Sequence, residues 1–388
     1  MDRLGVHAAE NGKAYMTDKL IVLLVSEQTV PNIQFLKWHF RIKPETVDLL
    51  FISTEIMERK KKTADIMNAL AYLEKYIQKK QTLTVNENSI GDVKNKLERL
   101  LGEWHHKSFE VNITGGTKLM SLATYDFFKD KKDCQIFYQP IGKELQCLRP
   151  EYAEYSVSEL LTLEEYMKAH GINFEYSNSC LKDYDFNKSV YERVIKDRLE
   201  AIKQIVAMQN NSYFKNVFKR KNTLDLLTQV PDDKFVTSEG QKLSKEEVIA
   251  AVSAFGFDIH ALTHSQLRYI TGGWFEEFAF QKIKHDKKIA DGNIALNVRV
   301  EKGSDKNELD VVYIADNRLH VVECKSFVDG KEGTAVLNDA LFKLQAIMKT
   351  KFGLNAKSYL YTKSIVEKES ALSRAQEFGI TIVDGKSL

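Results

Sequence analysis

The stretch that most constrains this chain lies near its C-terminus, where the sequence predicts a β-hairpin with two acids facing each other. Two runs rich in β-branched and apolar residues flank Asp316-Asn317, a dipeptide that favours tight turns. With a two-residue turn there, Asp310 lies opposite Glu323, and Glu308 lies opposite Lys325. Side chains alternate along a strand, so all four project from the same side of the sheet.

Two carboxylates that face each other across a hairpin repel, so Asp310 and Glu323 predict a cation between them. A hard divalent ion such as Mg²⁺ or Mn²⁺ prefers carboxylate, carbonyl and water oxygens as ligands. Lys325 follows Glu323 closely, and its ammonium group can reach a water or a phosphate beside that ion. The alternative interpretation is an amphipathic hairpin whose charged face is only solvated.

The same residues resemble the signature of the PD-(D/E)XK nucleases, in which an Asp is followed by Glu-x-Lys, here Asp310 and Glu323-Cys-Lys325. Glu276 and Glu277 lie upstream, where that nuclease fold has a helix that donates another acid. The strands are also strongly apolar on their other face. These features favour a nuclease site over a solvated hairpin.

The resemblance implies four metal ligands, which are Asp310, Glu323, Glu276 and, through its carbonyl, Cys324. A metal held there stabilises charge on the scissile phosphate and activates a water. Lys325 orients that water or stabilises the transition-state charge. Glu308 either joins the metal site or pairs with Lys325, and Glu277 is the less favoured alternative to Glu276. The thiol of Cys324 points to the opposite face and is expected in the core.

Length, net charge and cysteine content limit the kinds of protein that this chain can be. At 388 residues the chain is long enough for two or three domains. Its net charge of +2 gives no overall signal for nucleic-acid binding, so any such surface is local. The four cysteines have neither CxxC pairs nor zinc spacing, which predicts reduced thiols in a cytoplasmic protein. The apolar strand at 20–25 is too short to span a bilayer.

Strand and helix patterns alternate through the first 150 residues. Buried strands are predicted at 20–25 and 109–114, with helices between successive strands, one of them a long helix over 64–78. Repeated units of this length predict an α/β domain with a doubly wound, mostly parallel sheet. Ligands on such sheets bind beyond the carboxyl ends of the strands, where this chain has polar loops at 26–32 and 114–118.

The second of these loops, Thr114-Gly115-Gly116-Thr117-Lys118, is the more informative. Glycines let the backbone approach a ligand closely, and the helix N-terminus that follows offers free amides to a phosphate. Lys118 adds a full positive charge. The alternative is an ordinary strand-to-helix turn with Thr117 as the cap. The Walker A pattern and the dinucleotide GxGxxG pattern are both absent.

Six segments taken together resemble one family. The first three, at 24–32, 111–118 and 137–144, are similar to the CARF sensor domains of CRISPR-associated effectors. With the segments at 272–277, 307–310 and 323–327 added, the chain resembles the CARF–PD-(D/E)XK effector nucleases of type III CRISPR systems. The resemblance implies an N-terminal Rossmann-like CARF domain and a C-terminal restriction-endonuclease-like α/β domain.

The resemblance also implies a function. Members of that family are homodimers that bind cyclic tetra-adenylate between paired CARF domains. The ligand switches them on as metal-dependent nucleases of single-stranded DNA and RNA; nicking of duplex DNA stays open for this chain. In this chain, Lys118 and the loop amides suit phosphates, whereas polar groups of the first loop suit adenine or ribose. The implied ligand residues are Ser26, Gln28, Thr29, Asn32, Thr114, Gly115, Gly116, Thr117 and Lys118.

The predicted domains are an N-terminal extension at 1–15, a sensor domain at 16–150, a connector and helical region at 151–260 and a nuclease domain at 261–388. Within the connector, the segment 213–221 interleaves basic and aromatic residues. That pattern suits single-stranded nucleic acid, or an amphipathic segment with buried aromatics.

Two other functions stay open on the sequence. One is a non-catalytic nucleotide sensor whose C-terminal domain only binds nucleic acid or a partner protein; the facing acids argue against it. The other is a restriction-like enzyme that cuts duplex DNA at a defined sequence, for which no recognition module is evident. The sequence does not separate Mg²⁺ from Mn²⁺, because both accept oxygen ligands.

Overall fold

The computed structural model of the chain describes residues 17–140, 144–157, 161–194, 244–258, 261–326, 330–352 and 356–388, with short pieces at 202, 223–225, 231, 233, 242 and 328. It divides into two compact units. One comprises the chain up to residue 161 together with 165–171, and the other comprises 162–164 and 172–388. The predicted extension at 1–15 and the basic-aromatic segment at 213–221 lie outside the described residues.

The first unit alternates strands and helices, as the sequence predicts. Its elements are β1 Lys19–Leu24, α1 Val30–Ile42, β2 Val47–Ser53, α2 Glu55–Arg59, α3 Lys62–Ala69, a 3₁₀ turn Ala71–Tyr76, β3 Ile77–Thr84, α4 Ile90–Gly102, β4 Ser108–Asn112, α5 Lys118–Phe128, β5 Cys134–Tyr138, β6 Leu145–Arg149, β7 Ala153–Tyr155 and α6 Leu163–Ala169.

The sheet of this unit has the order β3-β2-β1-β4-β5-β6-β7. The pairs from β3 to β5 are parallel, and the last two pairs are antiparallel. The central strand β1 is apolar on both faces because both are covered, and Leu20 to Leu24 are fully buried. The predicted mostly parallel, doubly wound sheet is confirmed, with an antiparallel edge.

This compact unit extends past residue 150, where the sequence analysis ends the sensor domain. The hydroxyl of Thr29 donates to the carbonyl of Ala169 at 2.6 Å. Lys37 Nζ lies 2.7 Å from the Glu165 carboxylate. These contacts tie α6 to the start and middle of α1, so the unit reaches Gly171.

The second unit holds β8 Asn173–Glu175, α7 Tyr184–Ser189, β9 Thr223–Asp225, α8 Lys245–Ala254, β10 Ala261–Thr263, α9 His264–Arg268, α10 Trp274–Lys287, β11 Ile294–Lys302, β12 Asp305–Ala315, β13 Arg318–Lys325, α11 Gly330–Ile347, β14 Lys357–Thr362, α12 Glu369–Glu377 and β15 Ile380–Val383. Single π-helical turns follow α7, α9 and α11. The main sheet has the order β15-β14-β13-β12-β11-β8 and is mixed.

The predicted hairpin is the centre of this sheet. Asp316 and Asn317 both have positive φ, at 51° and 55°, as a two-residue type I′ turn requires. Five pairs follow in the predicted register, from Ala315 opposite Arg318 onward. The inner face of the hairpin packs into a core built on α10, which includes the fully buried Trp274. No helix in the described ranges is both long enough and apolar enough to cross a membrane.

Candidate functional site

The two strands of the hairpin separate where the predicted acids begin. Pairing between β12 and β13 ends at Val311 and Val322, so Asp310 and Glu323 do not form the ladder pair that the sequence predicts. The backbone N–H of Cys324 instead donates to Oδ2 of Asp310 at 2.6 Å. The side chain of Asp310 therefore holds the point at which β13 leaves β12 and continues alongside β14.

The other side of β12 is also irregular at Asp310. Regular pairs with β11 flank this position but omit it, and Asn297, the residue of β11 across from it, has a φ of 52°. A positive φ is uncommon for residues other than glycine and marks a local distortion. Asp310 thus lies at a break in the pairing on both sides of its strand.

Asp310 is the most strongly perturbed carboxyl group of the site. Burial raises its pKa, and the negative charges of Glu323 and Glu276 raise it further, to about 8. Lys325 and the N–H of Cys324 oppose this shift without reversing it. The raised pKa therefore reflects removal from water first and the two neighbouring acids second, and the charge of Lys325 does not cancel them.

Glu323 is almost fully buried, at 2% exposure, and each of its oxygens meets a different ammonium group. Lys325 Nζ donates to Oε1 and Lys343 Nζ donates to Oε2, both at 2.7 Å. Burial alone would lower the pKa of Lys325, but the charges of Glu323 and Asp310 outweigh it and raise that pKa. The ion pairs of Glu323 with Lys325 and with Lys343 were not predicted from the sequence, which placed Lys325 beside the metal or opposite Glu308.

The structure separates the two adjacent acids of α10. Glu277 accepts hydrogen bonds from the N–H groups of Leu181 and Lys182, at 2.9 and 3.3 Å, and from Asn187. Glu276 instead interacts electrostatically with Asp310, and burial raises its pKa. Consecutive helical residues point about 100° apart, so only one of the pair can face the acids of the hairpin.

Glu308 is placed at the margin of this cluster. Its strand position pairs with Arg299 on β11, not with Lys325 on β13. Its exposed carboxylate lies 3.5 Å from the guanidinium of Arg268, a second residue that sequence reasoning missed. The charge of Arg268 acts to lower the pKa of Glu276, whereas that of Glu308 acts to raise it.

The thiol of Cys324 is buried, as the sequence predicts. Burial raises its pKa well above the ordinary value, and the nearby acids raise it further. A neutral, buried thiol is a poor nucleophile, so only the backbone of Cys324 is available to the site.

The donor chemistry of the cluster fits a hard divalent cation. Asp310, Glu323 and Glu276 supply carboxylate oxygens, and their mutual repulsion is what such an ion relieves. Within the described residues, however, no three acidic, histidine or cysteine side chains are arranged to hold a metal as they stand. Both oxygens of Glu323 bind lysines in this arrangement.

The sensor-domain loop after β4 approaches β1 very closely. A Cβ on Gly115 would lie 2.0 Å from the carbonyl oxygen of Leu24, so this position requires glycine. Gly116 has a φ of 73°, which also favours glycine. Thr117 caps α5 by accepting from the N–H of Met120, and Lys118 is exposed in the first turn.

The polar residues of the neighbouring loop divide into two groups. Asn32 is buried, donates to the Leu24 carbonyl at 2.8 Å and accepts from Asn112. Asn112 also accepts from Thr114, whose hydroxyl in turn accepts from the N–H of Gln139. Asn32 and Thr114, like Thr29, use their polar groups inside the protein, so they position the loops. Ser26 and Gln28 are partly exposed.

A cavity of about 170 Å³ lies at the carboxyl ends of β1 and β2, and three of the nine predicted sensor residues line it: Ser26, Gly116 and Thr117. Sequence reasoning missed Glu27, Thr54 and Glu87, which also line it. It also missed the buried Lys62, which lies 3.5 Å from Glu27. The basic run 59–62, from the end of α2 to the start of α3, was the sequence pattern that could have indicated this lysine.

Three family models match consecutive parts of the chain. Residues 20–166 match the Card1 CARF domain, residues 177–264 match the Card1 hinge domain, and residues 263–388 match the Card1-like endonuclease domain. Among curated proteins, none matches the chain.

Solved structures of low sequence identity share the fold. Protein VC1899 from Vibrio cholerae is 17% identical, with a TM-score of 0.69 over 95% of this chain and 94% of that one. Can2 from Sulfobacillus thermosulfidooxidans, solved in complex with cyclic tetra-adenylate, is 19% identical, with a TM-score of 0.64 over 94% and 95%. A type III CRISPR defence DNA nuclease activated by cyclic oligoadenylate is 15% identical, with a TM-score of 0.52 over 90% of this chain and 46% of that one.

The acids and lysines of the candidate nuclease site lie within the endonuclease match, and the glycine loop lies within the CARF match. The chain therefore contains a CARF domain, a hinge domain and an endonuclease domain of the Card1 type, in that order.

Proposed function

We propose that this protein is an endonuclease of type III CRISPR antiviral defence that cyclic tetra-adenylate activates and that cuts single-stranded DNA and RNA with a divalent metal. The observation that carries the proposal is the meeting of Asp310, Glu323 and Glu276 beside Lys325, with the pKa of Asp310 raised to about 8 by burial and by the other two acids. A domain that only binds nucleic acid gains nothing from this repulsion.

The chemistry follows from the residues that surround the acids. Asp310, Glu323, Glu276 and the carbonyl of Cys324 would hold Mn²⁺ or Mg²⁺, which supplies charge stabilisation to the scissile phosphate and acidifies a bound water. Lys325 stays protonated because its pKa is raised, so it can stabilise the charge that develops on the phosphate. Glu308 and Arg268 lie at the margin, where they adjust the charge of Glu276.

The sensor proposal depends on the loop from Thr114 to Lys118. Its glycines bring the backbone against β1, and Lys118 is exposed in the first turn of α5. Two such loops in a homodimer, related by a two-fold axis, would grip opposite halves of one cyclic oligonucleotide. The cyclic tetra-adenylate bound to the related Can2 structure supports this ligand class. Activation requires that the ligand bind the active arrangement more tightly than the inactive one.

The test is a cleavage assay on labelled single-stranded DNA, single-stranded RNA and duplex DNA, with Mn²⁺ or Mg²⁺, across cyclic oligoadenylates of different ring size. We expect cleavage of the single strands that requires both metal and cyclic tetra-adenylate. Asp310→Asn and Glu323→Gln should lose turnover while ligand binding by the sensor domain is kept. Equal cleavage with and without ligand contradicts activation, and full activity of both variants contradicts the site.

The homodimer is tested separately by light scattering on the purified protein with and without ligand. A mass of two chains in both conditions agrees with the proposal, because the binding surface is then shared. A monomer in both conditions contradicts the model in which paired loops hold one ring.

A further inference from the structure

Lys343 stands out because it neutralises an acid of the site from a separate element. It lies on α11, whereas Glu323 and Lys325 lie at the end of β13. Its Nζ donates to Glu323 Oε2 at 2.7 Å, the same distance that separates Lys325 Nζ from Oε1. A buried carboxylate is stabilised by this pair of charge-assisted hydrogen bonds, so Glu323 has a counter-charge at each oxygen without a metal.

The same contacts oppose a metal on Glu323 while both ammonium groups stay in place. A cation bound to Oε1 or Oε2 would share that oxygen with a lysine and would lie next to its positive charge, so the two cations compete for the carboxylate. Lys325 is less free to leave, because Asp310 also attracts it and it comes from the same strand as Glu323. The side chain of Lys343 is 36% exposed, so its ammonium can return to water along its flexible stem.

We propose that Lys343 is a competing internal cation: it holds Glu323 in the metal-free enzyme and gives up Oε2 when a divalent ion binds. The inference rests on the proposed metal site and adds a residue that controls its occupancy. Lys343 then sets the metal concentration at which the nuclease loads, because every binding event must break this ion pair. A purely structural lysine would have the opposite effect, since its removal would disorder Glu323 and weaken metal binding.

The experiment measures Mn²⁺ binding to the full-length protein, without nucleic acid or activator, from the loss of the free-ion signal in electron paramagnetic resonance. Lys343→Met keeps the length and apolar stem of the side chain but removes the charge. We expect it to bind Mn²⁺ about tenfold more tightly than wild type. The ion no longer has to displace a hydrogen bond between charged groups, and the free energy of such a bond corresponds to a change in affinity of about tenfold. Lys343→Arg keeps the charge and should stay within about threefold of wild type.

One control variant and one further measurement complete the design. Lys349→Met removes an exposed lysine from the π-helical turn after α11 and should leave Mn²⁺ affinity unchanged. In EDTA, the melting temperature of Lys343→Met should be lower than that of Lys349→Met, because Glu323 has lost a counter-charge. Saturating Mn²⁺ should raise the melting temperature of Lys343→Met by more than it raises that of wild type.

Equal or weaker Mn²⁺ binding by Lys343→Met overturns the inference and leaves the proposed function standing, provided that wild-type binding is lost in Asp310→Asn. If wild type shows no Mn²⁺ binding that depends on Asp310, the proposed metal site itself fails.

Discussion

The adjacent acids Glu276 and Glu277 allow a sharp test, because one substitution should affect catalysis and the other stability. In Glu277→Gln, the amide can keep one oxygen toward the N–H of Leu181. Its NH₂ group then replaces the oxygen that accepts from the N–H of Lys182 and from the side-chain amide of Asn187. Both of these donors would then face another donor and lose their hydrogen bonds. Hydrogen bonds to a charged acceptor contribute about 1.5–3 kcal/mol each.

Two features reduce the loss to about 2 kcal/mol: both affected contacts are long, at 3.3 and 3.4 Å, and burial already raises the pKa of Glu277. For a unit of this size, about 2 kcal/mol lowers the melting temperature by about 4–8 °C. Glu276→Gln removes a charge that other acids repel, so its melting temperature should equal or exceed that of wild type. Its turnover should fall by about tenfold to a hundredfold, as for other residues that support a metal site.

Differential scanning calorimetry in EDTA measures the first effect, and cleavage of labelled single-stranded DNA with Mn²⁺ and cyclic tetra-adenylate measures the second. Each variant serves as the matched control for its neighbour. An active Glu276→Gln together with an inactive but fully stable Glu277→Gln would refute the assignment.

Three further predictions concern other parts of the molecule. The pKa of Asp310 is raised to about 8 in the folded protein, so the metal-free protein loses stability as the pH rises toward that value. Asp310→Asn should therefore raise the melting temperature in EDTA more at pH about 8.5 than at pH about 5.5. An equal effect at both pH values would contradict the raised pKa. Gly115→Ala forces a Cβ against the carbonyl at the end of β1 and should cost about 1–3 kcal/mol by urea unfolding, whereas Gly102→Ala meets no atom within 4 Å and should be neutral or slightly stabilising. Lys118→Ala should weaken cyclic tetra-adenylate binding in calorimetry by about tenfold without changing stability, since the side chain is exposed; unchanged affinity would exclude Lys118 as a phosphate contact.

Some errors of the sequence analysis have a clear structural cause. A long helix over 64–78 was predicted, but α3 ends at Ala69 and β3 begins at Ile77. The strand forms because β2 offers a parallel partner from Val47 to Ser53, and that pairing outweighs local helical preference. A pattern read from neighbouring residues cannot include a partner strand that lies elsewhere in the chain.

The sequence alone determined the hairpin turn at Asp316-Asn317, its register as far as Val311 and the glycine loop after β4. Each follows from local rules, namely positive φ in a two-residue turn, alternation of side chains along a strand and the absence of a Cβ. These rules act within a few residues and hold in any surrounding fold.

Only the tertiary structure decided that the hairpin opens at Asp310, that Glu276 rather than Glu277 faces the acids, and that Lys343 reaches Glu323 from twenty residues away in sequence. The face that a helix presents to a sheet is set by which apolar residues pack best, and every side chain on that helix turns with it. Charges that lie far apart in the chain are brought together by this packing, so no local pattern could have identified the second lysine of the site.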